Sequence, residues 1–310
     1  MNLALVKTLV EPVRREPAHT SEMIDQVLGG MILSIVSPPK TSPAISGLEG
    51  ADWIQAQGIH AQWIHAQCPN GTIGYLRSWM CEPVDSSSPW CAQPGVMVRD
   101  RWLSSVPEEE GEAPVCLGMG TRCLGSVSSM ARSAVETPWG CRVKLPSIGL
   151  LPAAKPFLSG FYGGAGRLER KEDLSKEALF ALLEGALERS RLLLQAPYLW
   201  GGVSPGGFDC SGLVNLCVGM EGLRLPRDSG DQCRWFCDRG WGNAPDATLD
   251  AAPGLAFFGE ALDKIDHVGF LDGDGGMIHA SGNVHRTLLN PEPDEEGRRL
   301  LIRCRWVVSG

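Results

Sequence analysis

The chain has 310 residues, of which 43% are hydrophobic, and a formal net charge of -8. This length and apolar content are typical of two or three domains. The acidic balance and the scattered basic residues argue against a nucleic-acid partner. The 38 glycines and 22 prolines favour turn-rich β modules over a helical bundle.

The eleven cysteines are odd in number and irregularly spaced, without a Cys-x-x-Cys pair. We therefore expect no disulfide framework, no metal and no cofactor, and interpret most of these thiols as small buried hydrophobes in a reducing compartment.

The N-terminal apolar stretch is too short for a signal peptide, and no run approaches the roughly 20 apolar residues that span a membrane. A cytoplasmic location is expected, or a periplasmic one if a leader has been removed.

Residues 1 to 160 contain short apolar segments separated by turn residues. One apolar run covers residues 27–36, and Asn70-Gly71 indicates a hairpin. A Ser/Pro-rich break at 85–89 divides the region. The pattern predicts two small β-barrel modules, at residues 1–85 and 86–160.

The hydrophobic period changes to 3.6 residues from about residue 172, which predicts a helix ending at Ala196-Pro197. Asp173 and Ser175 are the candidate N-cap residues. A glycine-rich turn and a second apolar helix follow, and then five strand-like segments between residues 255 and 308. Helices followed by an antiparallel meander predict an α+β domain at 161–310.

Cys210 follows the glycine-rich turn and precedes the second apolar helix. A thiol at a helix N-terminus feels the positive end of the helix dipole, which favours the nucleophilic thiolate. His267 would accept the thiol proton and return it to a leaving amine, and His279 would orient His267. Cysteine, histidine and then a polar orienting residue is the chain order of a papain-like peptidase.

Five segments around these residues occur in a fixed order. They are Tyr-Leu-Trp-Gly-Gly (198–202), Phe-Asp-Cys-Ser-Gly-Leu-Val (208–214), Leu-Pro-Arg-Asp-Ser (225–229), Asp-His-Val-Gly-Phe (266–270) and Ile-His-Ala-Ser-Gly (278–282). Together they resemble the NlpC-type cell-wall cysteine peptidases, a branch of the papain-like fold. The resemblance implies that the Tyr198 hydroxyl helps the Cys210 amide to bind the oxyanion. It also implies a substrate-binding set: Asp209, Ser211, Arg227, Asp228 and Ser229.

Residues 13–28 are similar to the opening of the first bacterial SH3-like domain in peptidases that recycle murein peptides. That resemblance implies a multidomain fold, with two small all-β SH3-like barrels followed by an α+β papain-like catalytic domain. The implied activity is hydrolysis of the γ-D-glutamyl-L-diamino acid bond in a murein-derived tripeptide or tetrapeptide. The implied substrate carries a free N-terminal L-Ala amine.

The chain departs from the family pattern at two places. Gly29-Gly30 stands where an acidic residue is expected, which puts recognition of the free amine in doubt, and Pro253-Gly254-Leu255 lacks the aspartate of a Pro-Gly-Asp pattern.

Three alternative functions stay open: a secreted or periplasmic hydrolase of intact wall, a wall-binding module without catalysis, and an acyltransferase. The sequence does not distinguish diaminopimelate from lysine in the substrate.

Overall fold

The computed structural model describes residues 3–36, 53–55, 62–105, 114–153, 175–242, 254–289 and 299–305. The chain divides into two compact units, Met1–Gly164 and Ala165–Gly310. The first unit is built mostly of strands, whereas the second combines helices with a sheet. Among the described residues, no helix is both long enough and apolar enough to cross a membrane.

The first unit begins with an eight-stranded sheet. Its strands are β1 (Leu3–Val6), β2 (Val10–Arg14), β3 (Met23–Leu28), β4 (Ile32–Ile35), β5 (Trp53–Gln55), β6 (Gln62–Gln67), β7 (Ile73–Arg77) and β8 (Cys81–Val84). The strand order is β3-β2-β7-β6-β4-β1-β8, and β5 pairs with β6. Alternate side chains such as Val13, Leu33 and Leu76 are fully buried, because successive residues of a strand point to opposite faces.

The apolar run at residues 27–36 is two strands rather than one, because the chain turns at Gly29-Gly30 between β3 and β4. Gly30 has a φ of +82°, and a Cβ there would lie 2.2 Å from the carbonyl oxygen of Arg122. A Cβ on Gly29 would lie 2.7 Å from the carbonyl oxygen of Thr8. The turn therefore requires glycine at both positions and has no room for the acidic side chain that the family pattern suggests.

The hairpin predicted at Asn70-Gly71 is present between β6 and β7. The backbone N–H of Cys68 donates to the carbonyl of Thr72, and Gly71 has a φ of +94°. The Asn70 side chain donates to the buried carboxylate of Asp25 over 2.7 Å. The turn chemistry thus fixes the register of this strand pair.

The second sheet follows the Ser/Pro-rich break. The elements of this region are α1 (Pro89–Ala92), β9 (Gly95–Val98), β10 (Trp102–Ser104), β11 (Cys116–Gly118), β12 (Arg122–Gly125), β13 (Arg132–Glu136), β14 (Arg142–Pro146) and β15 (Leu150–Ala153). Five strands pair in the order β14-β13-β12-β9-β15, and β10 and β11 form a separate ribbon. The region is mostly β, as expected, while its SH3-like identity, the barrel count and the three domain boundaries stay predictions.

Within its described residues, the second unit contains three helices, a short ribbon and a five-stranded sheet. Its elements are α2 (Lys176–Leu192), β16 (Val203–Ser204), β17 (Gly207–Phe208), α3 (Cys210–Met220), α4 (Ser229–Cys237), β18 (Gly254–Gly259), β19 (Ile265–Leu271), β20 (Gly276–Ser281), β21 (Asn283–Leu288) and β22 (Arg299–Arg305). The antiparallel order is β21-β20-β19-β18-β22, so the last strand returns to pair with β18.

The first helix of this unit ends earlier than its sequence pattern predicts. Ser175 caps α2 by accepting a hydrogen bond from the Ala178 N–H over 3.1 Å, whereas Asp173 lies outside the described residues. The helix ends at Leu192, and Gln195 then adopts a φ of +68°. This left-handed residue redirects the chain towards the glycine-rich turn.

Helix α3 lies in the core of the second unit, in contact with α2, β19 and β20. Leu213, Val214 and Cys217 on α3 are fully buried, as are Phe257 and Phe270 on the sheet. Burying each large apolar side chain contributes about 1.5–3 kcal/mol. This packing holds the N-terminal end of α3 against the sheet.

We predict that Gly30→Ala destabilises the first unit far more than Gly140→Ala does. Both glycines have positive φ, at +82° and +86°, so alanine should cost about 1–2 kcal/mol at either position. Only Gly30 faces a backbone oxygen at 2.2 Å, whereas Gly140 has no atom within 4 Å of the added Cβ. Urea unfolding followed by tryptophan fluorescence measures the difference, and equal midpoints for the two variants would contradict this account of the turn.

Candidate active site

Cys210 is the first residue of α3, and Asp209 is its N-cap. The ribbon of β16 and β17 brings the chain to this point, and the Asp209 carboxylate then accepts a hydrogen bond from the Gly212 N–H over 2.7 Å. An aspartate at this position satisfies one of the N–H groups that a helix leaves unpaired at its start. The cap therefore fixes the backbone that carries the thiol.

Glycines allow the turn to fold closely against the start of α3. A Cβ on Gly212 would lie 2.0 Å from the carbonyl oxygen of Gly202, and a Cβ on Gly202 would lie 2.4 Å from that of Gly207. The Asp209 N–H also donates to the Gly202 carbonyl over 3.1 Å. Glycine at 202 is thus required by contact within the chain itself, and its close approach to a substrate stays a prediction.

Three of the predicted substrate-binding residues form one buried network. Arg227 donates to both carboxylate oxygens of Asp209, over 3.0 Å and 2.5 Å, and to the Ser211 hydroxyl over 2.8 Å. The Asp209 carboxylate also accepts from the Gly201 N–H over 2.9 Å. With Gly212 and Ser211 as further donors, the oxygens of this carboxylate are saturated. Asp209 therefore acts as a clamp: its carboxylate holds together the glycine-rich turn, the start of α3 and Arg227.

The two predicted histidines lie side by side on β19 and β20. His267 Nε2 is 2.7 Å from His279 Nδ1, and both rings are largely buried. A Cβ on Gly269 of β19 would lie 2.9 Å from the His279 Cβ on β20. Glycine at 269 therefore leaves the space in which His279 reaches His267.

The Cys210 thiol lies against the segment of β19 that carries His267. The Cys210 Sγ is 3.8 Å from the carbonyl oxygen of Asp266, and it is hydrogen-bonded to the backbone of Val268. These contacts are with the two residues that flank His267. The fold thus brings together the nucleophile, base and orienting residue that the sequence predicts.

The remaining predicted site residues lie at the edges of this arrangement. Tyr198 is 37% exposed. Its backbone forms an isolated β-bridge with Phe208, which precedes Cys210 by two residues. Asp228 is exposed at the N-cap position of α4, although its carboxylate makes no capping hydrogen bond there, and Ser229 is buried as the first residue of that helix. The oxyanion role of Tyr198 and the substrate contacts stay predictions.

Residues 195–293 match the model of the NlpC/P60 family. The second unit contains an NlpC/P60 domain. A probable endopeptidase of Mycobacterium tuberculosis (strain ATCC 25618 / H37Rv) is 42% identical over 88 residues, which are 28% of this chain and 20% of the relative. The γ-D-glutamyl-L-lysine dipeptidyl-peptidase of Bacillus subtilis (strain 168) is 38% identical over 98 residues, 31% of each chain. The chain thus spans less than a third of the length of these curated relatives.

A solved structure extends the likeness from the NlpC/P60 domain to the whole fold. The crystal structure of an NlpC/P60 family protein from Bacillus cereus ATCC 10987 has a TM-score of 0.68 and covers 98% of this chain and 99% of that one. Sequence identity is 18%, so this comparison shows a shared fold alone. The domain match and the relatives named as peptidases support a cysteine-peptidase type of enzyme.

The Cys210 thiol of the NlpC/P60 domain is buried at the N-terminal end of α3. Burial raises the pKa of Cys210 to about 11, and the adjacent Asp209 carboxylate acts in the same direction. Backbone hydrogen bonds and the Arg227 guanidinium lower this pKa without outweighing burial. Burial therefore opposes the predicted effect of the helix terminus on the pKa of this thiol, and activation of Cys210 by His267 stays a prediction.

Two amide side chains that the sequence pattern does not single out support the NlpC/P60 site. Asn215 Nδ2 donates to the Pro226 carbonyl over 2.9 Å, and Gln232 Nε2 donates to the same oxygen over 3.0 Å. Together they hold the loop that carries Arg227 against α3. Neither residue lies in the five segments that resemble the NlpC-type peptidases. Asn215 follows Ser211 by one helical turn, which is the only local signal of its role.

We predict that His267→Ala slows alkylation of Cys210 by iodoacetamide at pH 7 by at least about tenfold. Without the base, the thiolate should form only as the pH rises towards the thiol pKa of about 11, so the rate should climb throughout the alkaline range. Site-resolved mass spectrometry is needed because Cys116, Cys141 and Cys237 are exposed thiols.

His19→Ala is the control, because His19 is an exposed histidine of the first unit. Its pH profile should stay close to that of the wild-type protein. Superimposable profiles for His267→Ala and the wild type would show that His267 does not take the proton.

Proposed function

We propose that this protein is a cysteine peptidase that hydrolyses the γ-D-glutamyl-L-diamino acid bond of short murein peptides. The observation that carries the proposal is the pairing of His267 with His279 beside the Cys210 thiol. The substrate class is supported by the similarity to the Bacillus subtilis γ-D-glutamyl-L-lysine dipeptidyl-peptidase over 98 residues. The cytoplasmic location stays a prediction of the sequence.

The chemistry is acyl transfer in two steps. Cys210 Sγ attacks the γ-carbonyl carbon of D-glutamate while His267 takes the thiol proton. Collapse of the tetrahedral intermediate breaks the carbon–nitrogen bond, and His267 returns the proton to the departing amine of the L-diamino acid. Water, deprotonated by His267, then hydrolyses the thioester and releases the dipeptide with the regenerated thiol. The Cys210 N–H and the Tyr198 hydroxyl are the proposed oxyanion donors.

Recognition of a free N-terminal amine would need a carboxylate with unsaturated oxygens. The Gly29-Gly30 turn has no room for one, and the Asp209 carboxylate is already saturated by Arg227 and backbone donors. Asp228 is an exposed carboxylate one residue after Arg227, so it is the candidate within the peptidase domain. Arg227, Ser211 and Ser229 would then line the buried side of the dipeptide-binding region.

We predict cleavage of L-Ala-γ-D-Glu-L-Lys or of its diaminopimelate counterpart to L-Ala-γ-D-Glu and the free diamino acid. Mass spectrometry of the products measures cleavage and shows which diamino acid is preferred. Cys210→Ala should abolish turnover, whereas Cys237→Ala, which removes an exposed thiol in the same unit, should leave it unchanged.

The substrate's N-terminus separates the alternatives. If N-acetylation of L-Ala leaves the rate unchanged, the amine-gated form of the proposal is wrong. Release of fragments from intact sacculi, with no cleavage of the free peptides, would indicate a wall hydrolase instead. Cleavage of none of these substrates while Cys210 is still alkylated would overturn the substrate class.

A further inference from the structure

The second nitrogen of His279 has a partner that no motif includes. His279 Nδ1 faces His267, and His279 Nε2 is 2.9 Å from the Thr287 hydroxyl oxygen. Thr287 lies on β21, opposite Met277 of β20, while His285 lies opposite His279. Residues opposite or diagonal to one another on paired strands share a face, so Thr287 reaches His279 along that diagonal.

The tautomer of His279 follows from the role of His267. His267 Nε2 is occupied by His279, so Nδ1 is the nitrogen left to accept the thiol proton. Neutral His267 must therefore carry its hydrogen on Nε2 and donate it to His279 Nδ1. His279 then carries its own hydrogen on Nε2, which requires an acceptor. The Thr287 hydroxyl oxygen is 2.9 Å from His279 Nε2 and is positioned to accept this hydrogen.

We propose that Thr287 is a positioning residue that holds His279 as the Nε2–H tautomer and so keeps His267 ready to accept the proton of Cys210. The inference deepens the proposed function, since it assigns a fourth member to the same site. Thr287 is exposed, so its hydroxyl hydrogen can point to solvent while its oxygen accepts from His279.

The neighbouring His285 ring does not accept the Nε2 hydrogen of His279. The His285 ring is 4.6 Å from the His279 ring between centroids, and its Nδ1 is 3.0 Å from the Asn283 carbonyl, to which it must donate. If Thr287 instead donated to His279 Nε2, His279 would carry its hydrogen on Nδ1. Two N–H groups would then face each other across the 2.7 Å separation between His267 and His279, which blocks the transfer.

The test compares Thr287→Val, which keeps the shape and the β propensity but removes the hydroxyl, with Thr287→Ser, which keeps the hydroxyl. Nitrogen-15 NMR of histidine-labelled protein should show the Nε2–H tautomer of His279 in the wild type and in Thr287→Ser. Thr287→Val should show a mixture of tautomers. Its Cys210 alkylation at pH 7 should slow roughly three- to tenfold, as expected for the loss of one hydrogen bond.

Thermal unfolding separates a folding defect from the positioning role, and Thr287→Ala serves as a second hydroxyl-free variant if valine impairs folding. An Nδ1–H tautomer in the wild type, or alkylation at the wild-type rate in a folded Thr287→Val protein, would overturn the inference. Neither readout needs a peptide substrate. A protein that passes both tests but cleaves no murein peptide would therefore refute the proposed substrate and support the role of Thr287.

Discussion

The buried carboxylate of Asp209 holds the active-site turn together. It caps α3, accepts the Gly201 N–H and pairs with both terminal nitrogens of Arg227, so that the glycine turn, the helix start and the loop before α4 meet at one group. Removing one partner of such a pair leaves an uncompensated buried charge, which typically costs 3–5 kcal/mol. The clamp therefore holds the backbone that carries Cys210.

Two parts of the second unit meet at the candidate site. The helix terminus supplies the thiol, and the sheet supplies His267, His279 and Thr287 in a line of hydrogen bonds. Because burial raises the thiol pKa to about 11, the helix alone does not make a nucleophile. In the proposed mechanism, the thiol becomes nucleophilic only when His267 accepts its proton.

The sequence predicted Cys210, His267 and His279, which the structure brings together, because each lies in a short motif whose residue types suit one chemical role. It also predicted the hairpin at Asn70-Gly71 and the Ser175 cap from turn and capping chemistry. It missed α4 and the division of residues 27–36 into two strands, since contacts between sheets decide the turn at Gly29-Gly30. The saturation of Asp209 depends on Arg227, which lies in a separate segment, and the contact of Thr287 with His279 depends on the register of the hairpin formed by β20 and β21, so no single motif shows either.

The central claim is that His267 activates Cys210 in a site that recognises the L-Ala-γ-D-Glu end of a peptide. An electrophilic vinyl sulfone built on that dipeptide tests it directly, with labelled residues located by peptide mass spectrometry. The account predicts a single adduct on Cys210 that is lost in His267→Ala, with the exposed Cys116, Cys141 and Cys237 unlabelled. Label spread over the exposed cysteines, or labelling of Cys210 that does not depend on His267, would contradict it.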